Sequence, residues 1–193
     1  MRVKKIRITT EPLFYLYIAL FILLLPIRWF IAWALAVILH EFGHWIFVRF
    51  YGNNVYAIRL KASGVEMVTD DLLPVQECLC AFAGPLASLL GALFIRRYPV
   101  FGAWCIIQFC YNMIPISQSD GSRVVRCVFV QFFGGDKGLQ ISNIVERLCS
   151  CILIIVVVWT AVRLNALFLI LWLVFFVFVK RKIPCKQSYK RVQ

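Results

Sequence analysis

The chain has 193 residues, 62% of them hydrophobic, and a mean hydropathy of +0.84, which excludes a soluble domain of that size. Its formal net charge is +12, but the Lys and Arg residues flank apolar segments instead of forming one basic face, which argues against a nucleic-acid partner. The eight cysteines make no CxxC pair; Cys78, Cys80, Cys105, Cys110, Cys149 and Cys151 fall in apolar segments and read as small packing residues.

Apolar segments at about 12–25, 29–50, 76–95, 100–116, 146–162 and 165–179 predict an all-α polytopic membrane protein of about six transmembrane helices. The first and fourth are short for a hydrocarbon core of ~30 Å. The first segment has no small-residue cleavage site and leads into the second through Pro26-Ile27-Arg28, so it is expected to be a retained span and not a signal peptide.

The second segment contains His40-Glu41-Phe42-Gly43-His44, and these two histidines are the only ones in the chain. Four residues advance a helix by roughly 400°, so both imidazoles project from one face about one turn apart, where they can grip a single metal ion. Glu41, beside the first ligand, can reach a metal-bound water and serve as general base. Such a cluster is costly at membrane depth unless a metal or partner compensates it, which points to function.

Gly52-Asn53-Asn54 ends this run. The stretch from Val55 to Val68, with Lys61-Ala62-Ser63-Gly64 in its middle, reads either as a small membrane-associated β-hairpin between helices 2 and 3 or as an amphipathic loop on the membrane surface. As a hairpin, an unpaired edge could accept an extended peptide. In the third segment Ala83-Gly84-Pro85 reads as packing, because small residues admit a neighbouring helix and Pro frees a carbonyl. The end of the fourth segment and the residues directly after it read Asn112-Met113-Ile114-Pro115-Ile116-Ser117-Gln118-Ser119-Asp120-Gly121. Residues 122–133 mix Arg123 and Arg126 with Val and Phe; the stretch is too short to span and fits an interfacial helix. The fifth and sixth segments are nearly featureless Val, Ile, Leu and Phe, and read as scaffold.

An even number of spans puts both ends on one side, and both are basic: Arg2, Lys4, Lys5 and Arg7 at the start, then Lys180, Arg181, Lys182, Lys186, Lys190 and Arg191. The loops holding Arg49, Arg59, Lys61, Arg123, Arg126, Lys137 and Arg147 fall on that side too, leaving only Arg28, Arg96, Arg97 and Arg163 opposite. Both termini are therefore expected in the cytoplasm.

Two histidines leave a tetrahedral zinc site one protein donor short. Among the nine acidic residues Asp120 stands apart, directly after the fourth segment, although by itself it also reads as an N-cap ahead of Ser122-Arg123-Val124. The pairing of HEFGH with N-x-x-P-x-x-x-x-D-G, separated by a span carrying Ala-Gly-Pro, resembles the site-2 protease family of intramembrane zinc metalloproteases over about residues 12–135. The six-span layout is most similar to the small bacterial branch that includes the sporulation factor processing protease. The resemblance implies one zinc per chain held by His40, His44 and Asp120, with Glu41 activating the water. It further implies that Asn112 positions the substrate or the catalytic groups, that Pro115 bends the chain there, and that Gly84-Pro85 matches the family's Gly-Pro. Ser119 is a departure, since the family often has an apolar residue there.

The expected organisation is a single membrane-embedded peptidase domain over 1–193, with a catalytic core at about 12–135, scaffold helices at about 146–179 and a basic tail at 180–193. Its expected setting is a bacterial plasma membrane, with the lipid bilayer, a membrane-anchored protein substrate and a membrane regulatory protein as partners. The expected reaction is regulated intramembrane proteolysis. Two other classes stay open: a catalytically inactive relative that binds membrane segments or responds to metal, and a zinc transporter. An intact Glu41 weighs against the first, and the lack of a further intramembrane acidic or histidine pathway against the second.

Overall fold

Proline punctuates this chain. Pro12, Pro74 and Pro99 each sit in the first turn of a helix, where the fixed φ suits the helix and the missing N–H costs nothing. The computed structural model describes residues 7–61, 64–116 and 119–163, so the apolar segment expected at 165–179 and the basic tail lie outside the described residues. In chain order the elements are β1 (Arg7–Thr10), α1 (Pro12–Leu24), α2 (Ile27–Phe50), β2 (Val55–Lys61), β3 (Gly64–Thr69), α3 (Pro74–Ala92), α4 (Pro99–Met113), α5 (Asp120–Phe133) and α6 (Gly135–Arg163). A 3₁₀ turn prolongs α3 to Arg96. By contacts the chain divides into Met1–Cys151 and Ile152–Gln193; of the second unit only the helical residues 152–163 are described.

Helix α2, α3 with its 3₁₀ extension, and α6 are each long and apolar enough to cross a membrane. Helices α1 and α4 are shorter, at 13 and 15 residues, as their segments suggested. The last of the three long helices starts at Gly135, not near residue 146 as the hydropathy implied.

In the first unit α3 is the central element, packing on α2, α4 and α5. Lipid tails are as apolar as the side chains, so close contact between small residues must hold these helices together. A Cβ on Gly43 would lie 2.6 Å from the Ala83 carbonyl oxygen and 2.7 Å from the Ala87 Cβ, and one on Gly91 would lie 2.6 Å from Leu39 and 2.7 Å from the Cys105 sulfur. Gly43 of α2 therefore meets the α3 backbone at Ala83, and Gly91 admits side chains of α2 and α4, as the packing reading expected. All seven described cysteines are free.

Among the described residues the one β region is a three-stranded sheet. β2 and β3 pair antiparallel, and β1 adds in parallel to the far side of β2, giving the order β1-β2-β3. The hairpin expected between the second and third helices is therefore present and gains a third strand: the edge of β2 is covered by β1, and β3 is an outer strand. The sheet is tied to the end of α2. Arg49 donates to Asn54 Oδ1 at 3.1 Å, the Asn54 amide donates to Asp70 at 3.0 Å, and the Tyr56 hydroxyl donates to the same carboxylate at 2.5 Å. That last bond holds the Tyr56 phenol above its usual pKa range. These contacts set the sheet beside the motif helix.

Candidate metal centre

Two α2 side chains, one turn apart, supply the first two donors, with His40 Nε2 and His44 Nε2 3.2 Å apart. The third comes from 76 residues further on: Asp120 Oδ2 lies 3.0 Å from His40 Nε2 and 3.2 Å from His44 Nε2. The cluster is enclosed, with His40 only 2% and Asp120 only 8% exposed.

Asp120 reaches the histidines because of the turn that precedes it. Helix α4 ends at Met113, and backbone bonds from Ile116 to Ile114 and from Ser119 to Ile116 fold the chain back. Ser119 is the N-cap of α5: its hydroxyl oxygen accepts from the Ser122 amide at 3.1 Å, and its hydrogen is shared between the carbonyls of Ile114 and Ile116. Asp120 is the first helical residue and not the cap, so its carboxylate is free for other partners. Gly121 completes the turn, since a Cβ there would strike the Met113 carbonyl group and lie 3.0 Å from the Asn112 carbonyl oxygen. The interfacial helix expected at 122–133 thus sends its first turn, Asp120 to Ser122, into the bundle interior.

Helix α3 supports the imidazoles from behind. His44 Nδ1 donates to the Cys80 carbonyl at 2.7 Å, and His40 Nδ1 lies 2.9 Å from the hydroxyl oxygen of Ser88, which is fully buried. Pro85 brings no N–H to the carbonyl of Ala81, and the adjacent Cys80 carbonyl is the one that takes the His44 proton. Gly84 lies directly over the rings: a Cβ there would overlap His44 Nε2 and stand 2.8 Å from His40 Nε2.

The donor chemistry fits zinc. A carbonyl can only accept, so His44 Nδ1 must carry a proton, and in the neutral ring Nε2 presents a lone pair. Where His40 Nδ1 likewise donates to the Ser88 hydroxyl oxygen, two lone pairs and a carboxylate oxygen converge, an arrangement that calls for a cation. Donors held at ~2.0–2.1 Å by one tetrahedral zinc stand about 3.3 Å apart, close to the 3.0–3.2 Å found here.

Glu41, the neighbour of His40 on α2, lines a groove between that helix and the sheet. Asn112 donates to the Gln108 carbonyl of its own helix at 3.0 Å, and Pro115 lies in the turn that delivers Asp120. Ser88, Cys80 and Gly43 were not singled out as site residues. A backbone carbonyl has no side-chain signature, and nothing in the sequence marks Ser88 among ordinary helix serines. Gly43 had a signal, being the residue between Glu41 and His44 that faces α3.

A family model described as Peptidase M50B-like matches residues 13–114, a stretch that takes in His40, Glu41, His44 and Gly84 and ends just before Asp120. Over 140 residues the chain is 25% identical to the zinc metalloprotease MJ0392 of Methanocaldococcus jannaschii, covering 65% of this chain and 41% of that protein. The chain thus spans about two fifths of this curated relative's length. Among solved structures, the site-2 protease from Methanocaldococcus jannaschii matches with a TM-score of 0.64 at 22% identity, covering 94% of this chain and 92% of that one.

Proposed function

This chain belongs to the peptidase M50B-like family and has the site-2 protease fold, and from that premise we propose that it is a membrane-embedded zinc endopeptidase. Its substrate is a membrane-anchored protein, cut within a transmembrane segment or at its cytoplasmic border as a step of regulated intramembrane proteolysis. The observation that carries this reading is the convergence of His40, His44 and Asp120 next to a carboxylate, Glu41, that faces an open groove.

In this reading His40, His44 and Asp120 hold one zinc, with Ser88 and the Cys80 carbonyl orienting the two rings. Bound there, zinc supplies Lewis acidity toward a peptide carbonyl and a water molecule. Glu41 moves the proton: it takes one from the attacking water and delivers it to the leaving amine nitrogen as the C–N bond breaks. The substrate helix must unwind first, because its carbonyls are occupied by helix bonds. Strand β3, outermost in the sheet, offers main-chain partners to the unwound segment. Asn112 and Pro115 act through the turn, keeping the end of α4 shaped so that Asp120 enters the bundle.

The charge distribution along the chain supports a six-span layout with cytoplasmic ends, and the resemblance to the small bacterial branch supports a bacterial plasma membrane as its setting. Glu41→Gln keeps the donor set and removes the base, so it should retain zinc and lose cleavage of a membrane-anchored reporter. Cleavage at the parent rate by zinc-loaded Glu41→Gln would refute the assigned base. A zinc-loaded parent without cleavage would favour the binding-protein class.

A further inference from the structure

The groove that Glu41 lines has more structure than access to a metal centre requires. It is an open groove of about 270 Å³ between α2 and the sheet. Phe42 and Trp45 of α2 form one wall, their rings stacked at 5.6 Å, and Ile58, Val65 and Met67 form the other. Among the described residues Glu41 is the only titratable side chain on its lining. Along β3 the residues alternate: Val65 and Met67 turn into the groove, while Glu66 between them reaches Lys61 and Arg59.

Resting on the endopeptidase reading above, we infer that this groove is a side-chain subsite that receives one large apolar residue of the substrate next to the scissile bond, with Met67 setting its size. Three observations carry this. The groove has Glu41 in its wall, so a peptide bond served by that carboxylate has its flanking side chain at the groove mouth. Its volume lies just below the roughly 300 Å³ at which ligand pockets begin, and a helix with its side chains is ~10–12 Å wide. Room of that size fits a side chain or two from an extended segment. Among the described residues its lining offers no cation to pair with an acidic side chain and, Glu41 and the Trp45 indole apart, no hydrogen-bonding side chain for a polar one. Leu, Met and Phe satisfy these conditions. Met67, unbranched and on the outer strand, is the lining residue whose change alters the space with least effect on the helix bundle.

The test uses the full chain, zinc-loaded and reconstituted, incubated with membranes of the expression host. New protein termini that form with the parent but not with Glu41→Gln are mapped by mass spectrometry. The expected result is a position adjacent to the cut where Leu, Met or Phe exceeds Ala, Gly and Asp by roughly 10-fold, the discrimination a methylene or two earns in an apolar pocket. Met67→Trp should reverse that preference toward Ala and Gly, and Met67→Ala should extend it toward Trp. Zinc content equal to the parent's identifies variants that keep the fold, and Met67→Ala serves if Met67→Trp does not. A flat residue distribution, or one unchanged in the folded variants, overturns the inference while leaving the endopeptidase intact. No Glu41-dependent termini from zinc-loaded protein would overturn the endopeptidase reading and this inference together.

Discussion

Gly84→Ala adds one methyl group at the point where α3 crosses the two imidazoles. The new Cβ would stand 2.5 Å from His44 Cε1 and 2.8 Å from His40 Nε2, and closer still to His44 Nε2. Carbon contacts settle at ~3.5–4.0 Å, so the ring or the helix must give way by about 1 Å. Zinc–ligand distances tolerate about ±0.2 Å, so a ring displaced that far no longer serves as a donor in the same site. The helix cannot easily retreat instead, because Gly43 holds α2 against Ala83 one residue away. Against this stands the helix propensity of Ala over Gly, about 1 kcal/mol in favour of the variant, set against about 1–3 kcal/mol for overpacking. The variant should therefore fold, at a net cost of about 0–2 kcal/mol in the metal-free state, and lose zinc affinity by at least about 10-fold, the lower end of what disturbing ligand orientation costs. Zinc per chain and chelator competition on detergent-purified protein measure it, with Gly135→Ala, whose Cβ would meet nothing within 4 Å, as the control. Parent affinity in Gly84→Ala would refute the claim that this glycine is required by the imidazoles.

Ser88→Ala removes the hydroxyl beside His40 Nδ1 without adding bulk, and should lower zinc affinity about 10–100-fold while the fold persists; isothermal chelator titration decides it. Burial between α5 and its neighbours pushes the Cys127 thiol up to about 12. Iodoacetamide at pH 8 should thus leave Cys127 unmodified in the folded protein and alkylate it after denaturation, as peptide mapping would show. Asp70→Ala removes the acceptor shared by Tyr56 and the Asn54 amide, loosening the sheet from the end of α2; amide exchange in Val55–Lys61 should rise while zinc content stays at the parent level.

Helix geometry explains why part of the centre was legible in the sequence. His40 and His44 fall on one face by covalent spacing alone, and their depth in an apolar run marked them as functional. Asp120 comes from a different helix, and only the resemblance to a known motif tied it to the histidines. Its pairing depends on a turn whose Ser119 cap and Gly121 contact were unreadable beforehand, and Ser119 had been counted as a departure from the family pattern. The third strand was missed for a similar reason. Arg7–Thr10 has no alternation of its own, and its parallel partner lies some 50 residues on, joined through α1 and α2. The early start of α6 was hidden by Asp136 and Lys137, which lower hydropathy without breaking a helix; the break falls at Gly134, whose φ of 82° separates α5 from α6. The supports of the imidazoles, Ser88 and the Cys80 carbonyl, appear only once α3 is set against α2.

Zinc content tests the three-donor centre most directly, compared by mass spectrometry among the parent, His44→Ala and Asp120→Ala after zinc repletion and removal of free metal. The account predicts about one zinc per chain in the parent and a marked loss in both variants. Zinc lost in His44→Ala but held at the parent level in Asp120→Ala would contradict the third donor, and a parent that binds no zinc would contradict the centre as a whole.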